Sequence, residues 1–200
     1  MLKKLMRYDL ENIFKFLCIF YSLATVFSIL ARLTANLGNS LMLNIISEIC
    51  VGAAISMMCS TLINNVMRMW VRFKYNLYGD ESYLSHTLPV TKSTHYLSKI
   101  LTTVITLFTS FLVVGAMLFV MYYSKENIQM IKGFLTPLAT LYDSSVVVIL
   151  IVFIFVLFIE FINILQCGFT GIILGHRMNN AKVGFSVLYG FISFFVSQTA

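Results

Sequence analysis

Apolar residues run along this chain in long stretches, separated by short segments that carry most of its charge. Phe16 to about Leu33, Leu41 to about Met67, Ile100 to Tyr123 and Ser144 to Gln166 each approach or exceed the ~20 helical residues that cross a ~30 Å hydrocarbon core. A fifth run begins near Val183. Spans of this kind are helical because lipid offers no partner to an open backbone amide. Val146 to Ile159 contains no polar residue at all. The pattern predicts an all-α fold: one polytopic transmembrane helical bundle over residues 1–200, with five spans visible.

Ahead of the first span the pattern changes. Leu2, Leu5, Met6, Leu10 and Ile13 fall on one helical face among Lys3, Lys4, Arg7, Asp9, Glu11 and Lys15. That spacing predicts an N-terminal interfacial helix over 1–15, its basic face drawn to anionic lipid. The plainer alternative is a solvated basic tail. A cleaved signal peptide fits poorly, because Asp9, Glu11 and Lys15 interrupt any early apolar core.

Arg68 to Lys99 is the other polar stretch, holding Arg68, Arg72, Lys74, Asp80, Glu81, His86, Lys92, His95 and Lys99 between two apolar runs. It reads as helix, turn and helix. Tyr78-Gly79-Asp80-Glu81 is turn-like, Pro89 breaks the element before it, and Thr91 or Ser93 can cap the second helix. Charge then orients the chain. With the N-terminus inside, only Arg32, Lys125 and Lys132 of the fourteen basic residues face outward. The 68–99 segment is then a cytoplasmic loop.

Composition agrees: 59% hydrophobic and 11% charged residues lie outside the range of soluble domains. The net charge of +6 suggests no nucleic acid, since the basic residues sit at the ends of apolar runs rather than in one patch. Cys18, Cys50, Cys59 and Cys167 lie in or beside apolar segments without paired spacing, so they read as small apolar residues. No G-x-x-x-x-G-K-[ST] phosphate loop, H-E-x-x-H or G-x-S-x-G occurs, and no catalytic or metal-binding residue is assigned.

Glu48 and Glu160 are the acids inside spans, where an unpaired carboxylate costs a few kcal/mol. Each is a candidate for the substrate pathway. The alternative is a structural contact, with Arg32 as a partner for Glu48 and Arg177 or Arg68 for Glu160. Gly168, Gly171 and Gly175 share a helical face that suits close helix packing. Trp70 and Tyr75 beside Arg68 and Arg72 read as an interfacial aromatic belt.

The loop also carries a resemblance. Asn76-Leu77-Tyr78-Gly79-Asp80-Glu81, Tyr83-Leu84, Thr87-Leu88-Pro89-Val90 and Ser98-Lys99 resemble the cytoplasmic loop of bacterial ABC-2-type transporter permeases. The basic start MLKKLMRYDLENIF, Ile173 to Arg177 and Lys182-Val183-Gly184 are similar to that family too. The resemblance implies a membrane-spanning permease subunit in a bacterial cytoplasmic membrane, multi-pass, paired with a second permease, identical or different. It would bind no cofactor itself; ATP would be bound and hydrolysed on a separate ATP-binding subunit. Export of a peptide, antimicrobial or other amphipathic compound is the implied activity. By resemblance, Tyr78, Gly79, Asp80, Glu81, Leu84 and Pro89 form the coupling contact with the ATP-binding subunit, against the alternative of a solvated connector. Family members usually have six spans, so a chain stopping at Ala200 is expected to be truncated. Two other classes stay open: a non-transporting membrane immunity or sensor protein, and a carrier driven by protons through Glu48 or Glu160.

Overall fold

A computed structural model describes residues 2–36, 41–79, 82–87 and 91–199, and every element among them is α-helical. In chain order these are α1 (Leu2–Asn36), α2 (Leu41–Tyr78), α3 (Ser82–Thr87), α4 (Lys92–Tyr122), α5 (Lys125–Leu141), α6 (Val146–Gly175) and α7 (Lys182–Thr199). Four of them, α1, α2, α4 and α6, are long and apolar enough to cross a membrane. The fifth run forms α7, which at 18 residues and with Lys182, Gln198 and Thr199 at its ends falls outside that set.

The helices outrun the apolar stretches that announced them. With 38 residues, α2 is about 57 Å long at 1.5 Å per residue, well beyond the ~30 Å of a hydrocarbon core. It carries Arg68, Arg72 and Lys74 without a break and stops only at Tyr78. There the Gly79 amide bonds the Tyr75 carbonyl, and the Gly79 carbonyl accepts from Ser82. The chain therefore leaves α2 at Gly79, as expected, and the expected start of the later helix is in place: Thr91 precedes α4, its carbonyl accepting from the amides of Thr94 and His95. Its hydroxyl bonds those of Thr94 and Ser93 rather than a backbone amide.

Two differences from the sequence reading stand out. Residues 2–15 are the first part of the 35-residue α1, continuous with the span, rather than a separate interfacial helix. The apolar face expected to lie on lipid is partly claimed by protein, with Ile13 fully buried. The segment between the third and fourth apolar runs also forms a helix, α5, which has Pro137 inside it and exposes Met130 and Phe134.

The chain divides into two compact units. Unit 1 comprises residues 1–15, 63–108 and 159–200; unit 2 comprises 16–62 and 109–158. In unit 2, Ala24 and Ala31 of α1 pack with Ala54 and Met58 of α2 and Met117 and Met121 of α4, flanked by Phe27, Val51 and Val113. Small side chains bring the helices close, which is what makes dispersion contacts count where lipid removes the hydrophobic incentive to pack. Tyr21 and Ser110 share a hydroxyl hydrogen bond of 2.8 Å, and Phe111 meets Phe158 edge to face.

In unit 1, α2 and α6 run parallel: Trp70, Phe73 and Tyr78 meet Leu165, Phe169 and His176 in the same order. α7 returns antiparallel against α6, with Gly171 against Gly190 and Ser186, and Asn163 donating to Ser197 at 3.1 Å. The expected packing face of α6 is therefore built. A methyl group at Gly168 would overlap the Trp70 indole, and one at Gly171 or Gly175 would overlap α7 at Ser186.

Candidate functional site

Asp9 is the residue around which unit 1 closes. Its side chain is only 3% exposed, yet it is a carboxylate on the buried face of a helix, so it requires compensation. Arg72 of α2 donates through Nε to Oδ1 at 2.7 Å, and Lys99 of α4 donates through Nζ to Oδ2 at 2.5 Å. Asn76, one turn after Arg72, adds a longer bond to Oδ1 at 3.4 Å. One acid thus holds two cations from two other helices, leaving the trio with an excess positive charge. The Arg72 guanidinium also lies 5.1 Å from the centre of the Tyr8 ring, whose face attracts it. Its Nη2 is buried and makes no hydrogen bond among the described residues.

Next to this trio stands an aromatic column. Phe73, fully buried, stacks on Phe169 of α6 with ring centres 4.3 Å apart and meets Tyr96 of α4 edge-on at 6.3 Å. At the last residue of α2, Tyr78 stacks on His176 at 4.3 Å and 22°. The His176 ring bonds the Ile172 carbonyl at 2.8 Å, which fixes the imidazole plane against which Tyr78 lies. The last residue of α2 is thereby seated on the end of α6.

The expected site residues fare unequally. Tyr78 and Gly79 lie at the turn, as described. Leu84 falls within α3, its side chain outside the described residues; Asp80, Glu81 and Pro89 also lie outside them. Glu48 and Glu160 belong to different units. Glu48 is exposed on α2, and no ion pair joins it to Arg32 among the described residues. Glu160 accepts a hydrogen bond from Gln198 of α7, and no ion pair joins it to Arg177 or Arg68 among the described residues. With Asn163, Cys167 and Ser197 it forms a polar seam between α6 and α7.

Asp9 was missed because its partners lie 63 and 90 residues away. The available signal was local: Asp9 shares its helical face with Leu5 and Ile13, one turn before and after, and an acid on a buried face implies a cation elsewhere. Trp70 likewise does more than mark an interface. Its ring fits against Gly168, and its Nε1 donates to the Leu165 carbonyl at 3.1 Å. Comparison of the chain with protein-family models, with curated proteins and with solved structures finds no match.

Proposed function

We propose that this chain is the membrane-spanning permease subunit of an ATP-driven, ABC-2-type exporter, energised by a separate ATP-binding subunit that docks on the 68–99 segment. The observation that carries the reading is convergence. The segments in which the resemblance resides are far apart in sequence: the basic start, the Tyr78-Gly79 turn, Ser98-Lys99 and the stretch around His176. Asp9 bonds Lys99, and Tyr78 stacks on His176, all within unit 1.

Such an arrangement suits force transmission. A partner pressing on the turn after Tyr78 pushes on α6 through the stacked His176 and on α2 directly. Asp9 then couples α2 to α1 and α4 through its two cations. Any such coupling requires the partner to contact the two states of the permease differently, as an ATP-binding subunit does when it closes. In this reading the N-terminus is cytoplasmic, α7 is the fifth span, α5 lies on the external side with its apolar residues toward lipid, and two permeases, identical or different, enclose the path of an amphipathic cargo.

The test is a pull-down of the protein from mild detergent, wild type against Asp80→Lys/Glu81→Lys, with the eluate assayed for ATPase activity. The proposal predicts an ATPase that co-purifies with wild type and is lost with the folded double variant. A folded wild-type protein that brings down no ATPase contradicts it.

A further inference from the structure

A groove of about 430 Å³ opens between α2, α6 and α7 within unit 1. Its size falls in the ~300–1,000 Å³ range of small-molecule sites. Its walls are almost wholly apolar, with Trp70, Cys167, Phe191 and Phe194 among them, and polarity is confined to a few positions. Because α7 runs antiparallel to α6 and α2 parallel to it, Lys74, His176 and Val183 lie at one end, while Phe191 and Phe194 lie at the other. Among the described residues no acid lines it. On the α7 side, Val183, Val187 and Phe191 are more than half exposed, so the wall is open along its length to the surrounding medium.

We infer that this groove is a binding site for an anionic membrane phospholipid, one acyl chain lying along Trp70 and the α6–α7 glycine contact and the phosphate meeting Lys74. Three features carry the assignment. The lining offers an acyl chain apolar contact from end to end. The cation stands at one end only, as a head group at the interface requires. The glycines hold α7 so close to α6 that the chain is accommodated beside their contact, against Trp70, rather than between them. A long lysine at the boundary reaches a phosphate while its stem stays on apolar surface. This site does not depend on the exporter reading and stands or falls separately.

Trp70 is the chain's single tryptophan, so its fluorescence reports on the groove alone. The full chain is reconstituted in phosphatidylcholine vesicles, and quenching is followed as phosphatidylglycerol with brominated acyl chains, or brominated phosphatidylcholine, replaces the host lipid. The expected result is saturable quenching by the anionic lipid, half-complete at a roughly five-fold lower mole fraction than for phosphatidylcholine, the size of one near-surface lysine's attraction. Lys74→Gln brings the two curves together. Gly190→Leu, where an added Cβ finds only the Cys167 carbonyl at 3.8 Å, fills the groove and lowers the saturating component for the anionic lipid. Coincident curves in the wild type overturn the inference, as does a preference that survives both substitutions. Protection of Trp70 from both lipids together with a dimer in light scattering overturns it in favour of a second copy of this chain.

Discussion

Unit 1 joins its helices through a carboxylate, two cations, an amide and stacked rings, whereas unit 2 joins its helices mainly through alanine and methionine, with the Tyr21–Ser110 hydroxyl pair and the edge-to-face Phe111–Phe158 pair beside them. All the basic residues except Arg32, Lys125 and Lys132 belong to unit 1. The difference is instructive because both units draw on the same four long helices. Small apolar contacts are tolerant of sliding and repacking, while an ion trio and a ring stack each have one good geometry. Contacts of the second kind hold a fixed shape, and contacts of the first kind let helices shift.

The largest effect should come from Asp9→Ala. It leaves Arg72 and Lys99 facing each other without their acid, which costs about 3–5 kcal/mol for a buried pair. The thermal unfolding midpoint in detergent should fall far more than for Glu48→Ala in unit 2, where the carboxylate is exposed and makes no ion pair among the described residues. Equal losses would erase the contrast between the units.

Glycine substitutions should differ in sign. Gly171→Ala drives a methyl group into Ser186 and Gly190 and should destabilise by roughly 1–3 kcal/mol, the usual range for overpacking. Gly115→Ala in unit 2 meets nothing within 4 Å and should stabilise by about 0.5–1 kcal/mol through helix propensity. Unfolding midpoints of the two variants, measured side by side, check both.

Smaller still is the ring stack. His176→Ala removes a contact worth about 0.5–1.5 kcal/mol. The midpoint should drop modestly, while limited proteolysis after Tyr78 should accelerate as the turn loses its seat. Tyr21→Phe in unit 2 deletes the hydroxyl bond to Ser110 and should cost only about 0.6 kcal/mol, the average for such bonds between membrane helices. Arg7→Ala, at an exposed pair with Glu11, should leave the midpoint unmoved.

Much of this was legible in the sequence, and the failures have physical causes. Apolar runs located the four long helices because lipid leaves a chain no alternative to helix. Their ends were harder to read, since a helix held by neighbours continues through Arg68, Arg72 and Lys74 as readily as through leucine. Gly79 marked the turn, and Gly168, Gly171 and Gly175 marked the packing face, because absence of a side chain is itself a local signal. The α5 helix escaped notice although Ile128, Ile131, Leu135 and Leu138 carry helical spacing, because its polar positions read as a connector. Charge partnership was least legible. Arg32 and Glu48 share a depth in the apolar pattern and form no pair among the described residues, whereas Asp9 finds partners that only the folded chain brings near.

Asp9 acts as the fastening between α1, α2 and α4, and a double-mutant cycle tests this directly. Unfolding midpoints are compared for wild type, Asp9→Asn, Lys99→Met and the pair. Strong coupling is predicted: Asp9→Asn alone should be severe, and adding Lys99→Met should recover part of the loss by removing a buried ammonium that has lost its carboxylate. Losses that simply add, with no recovery in the double variant, would show that Asp9 and Lys99 do not hold each other and would contradict the role assigned to Asp9.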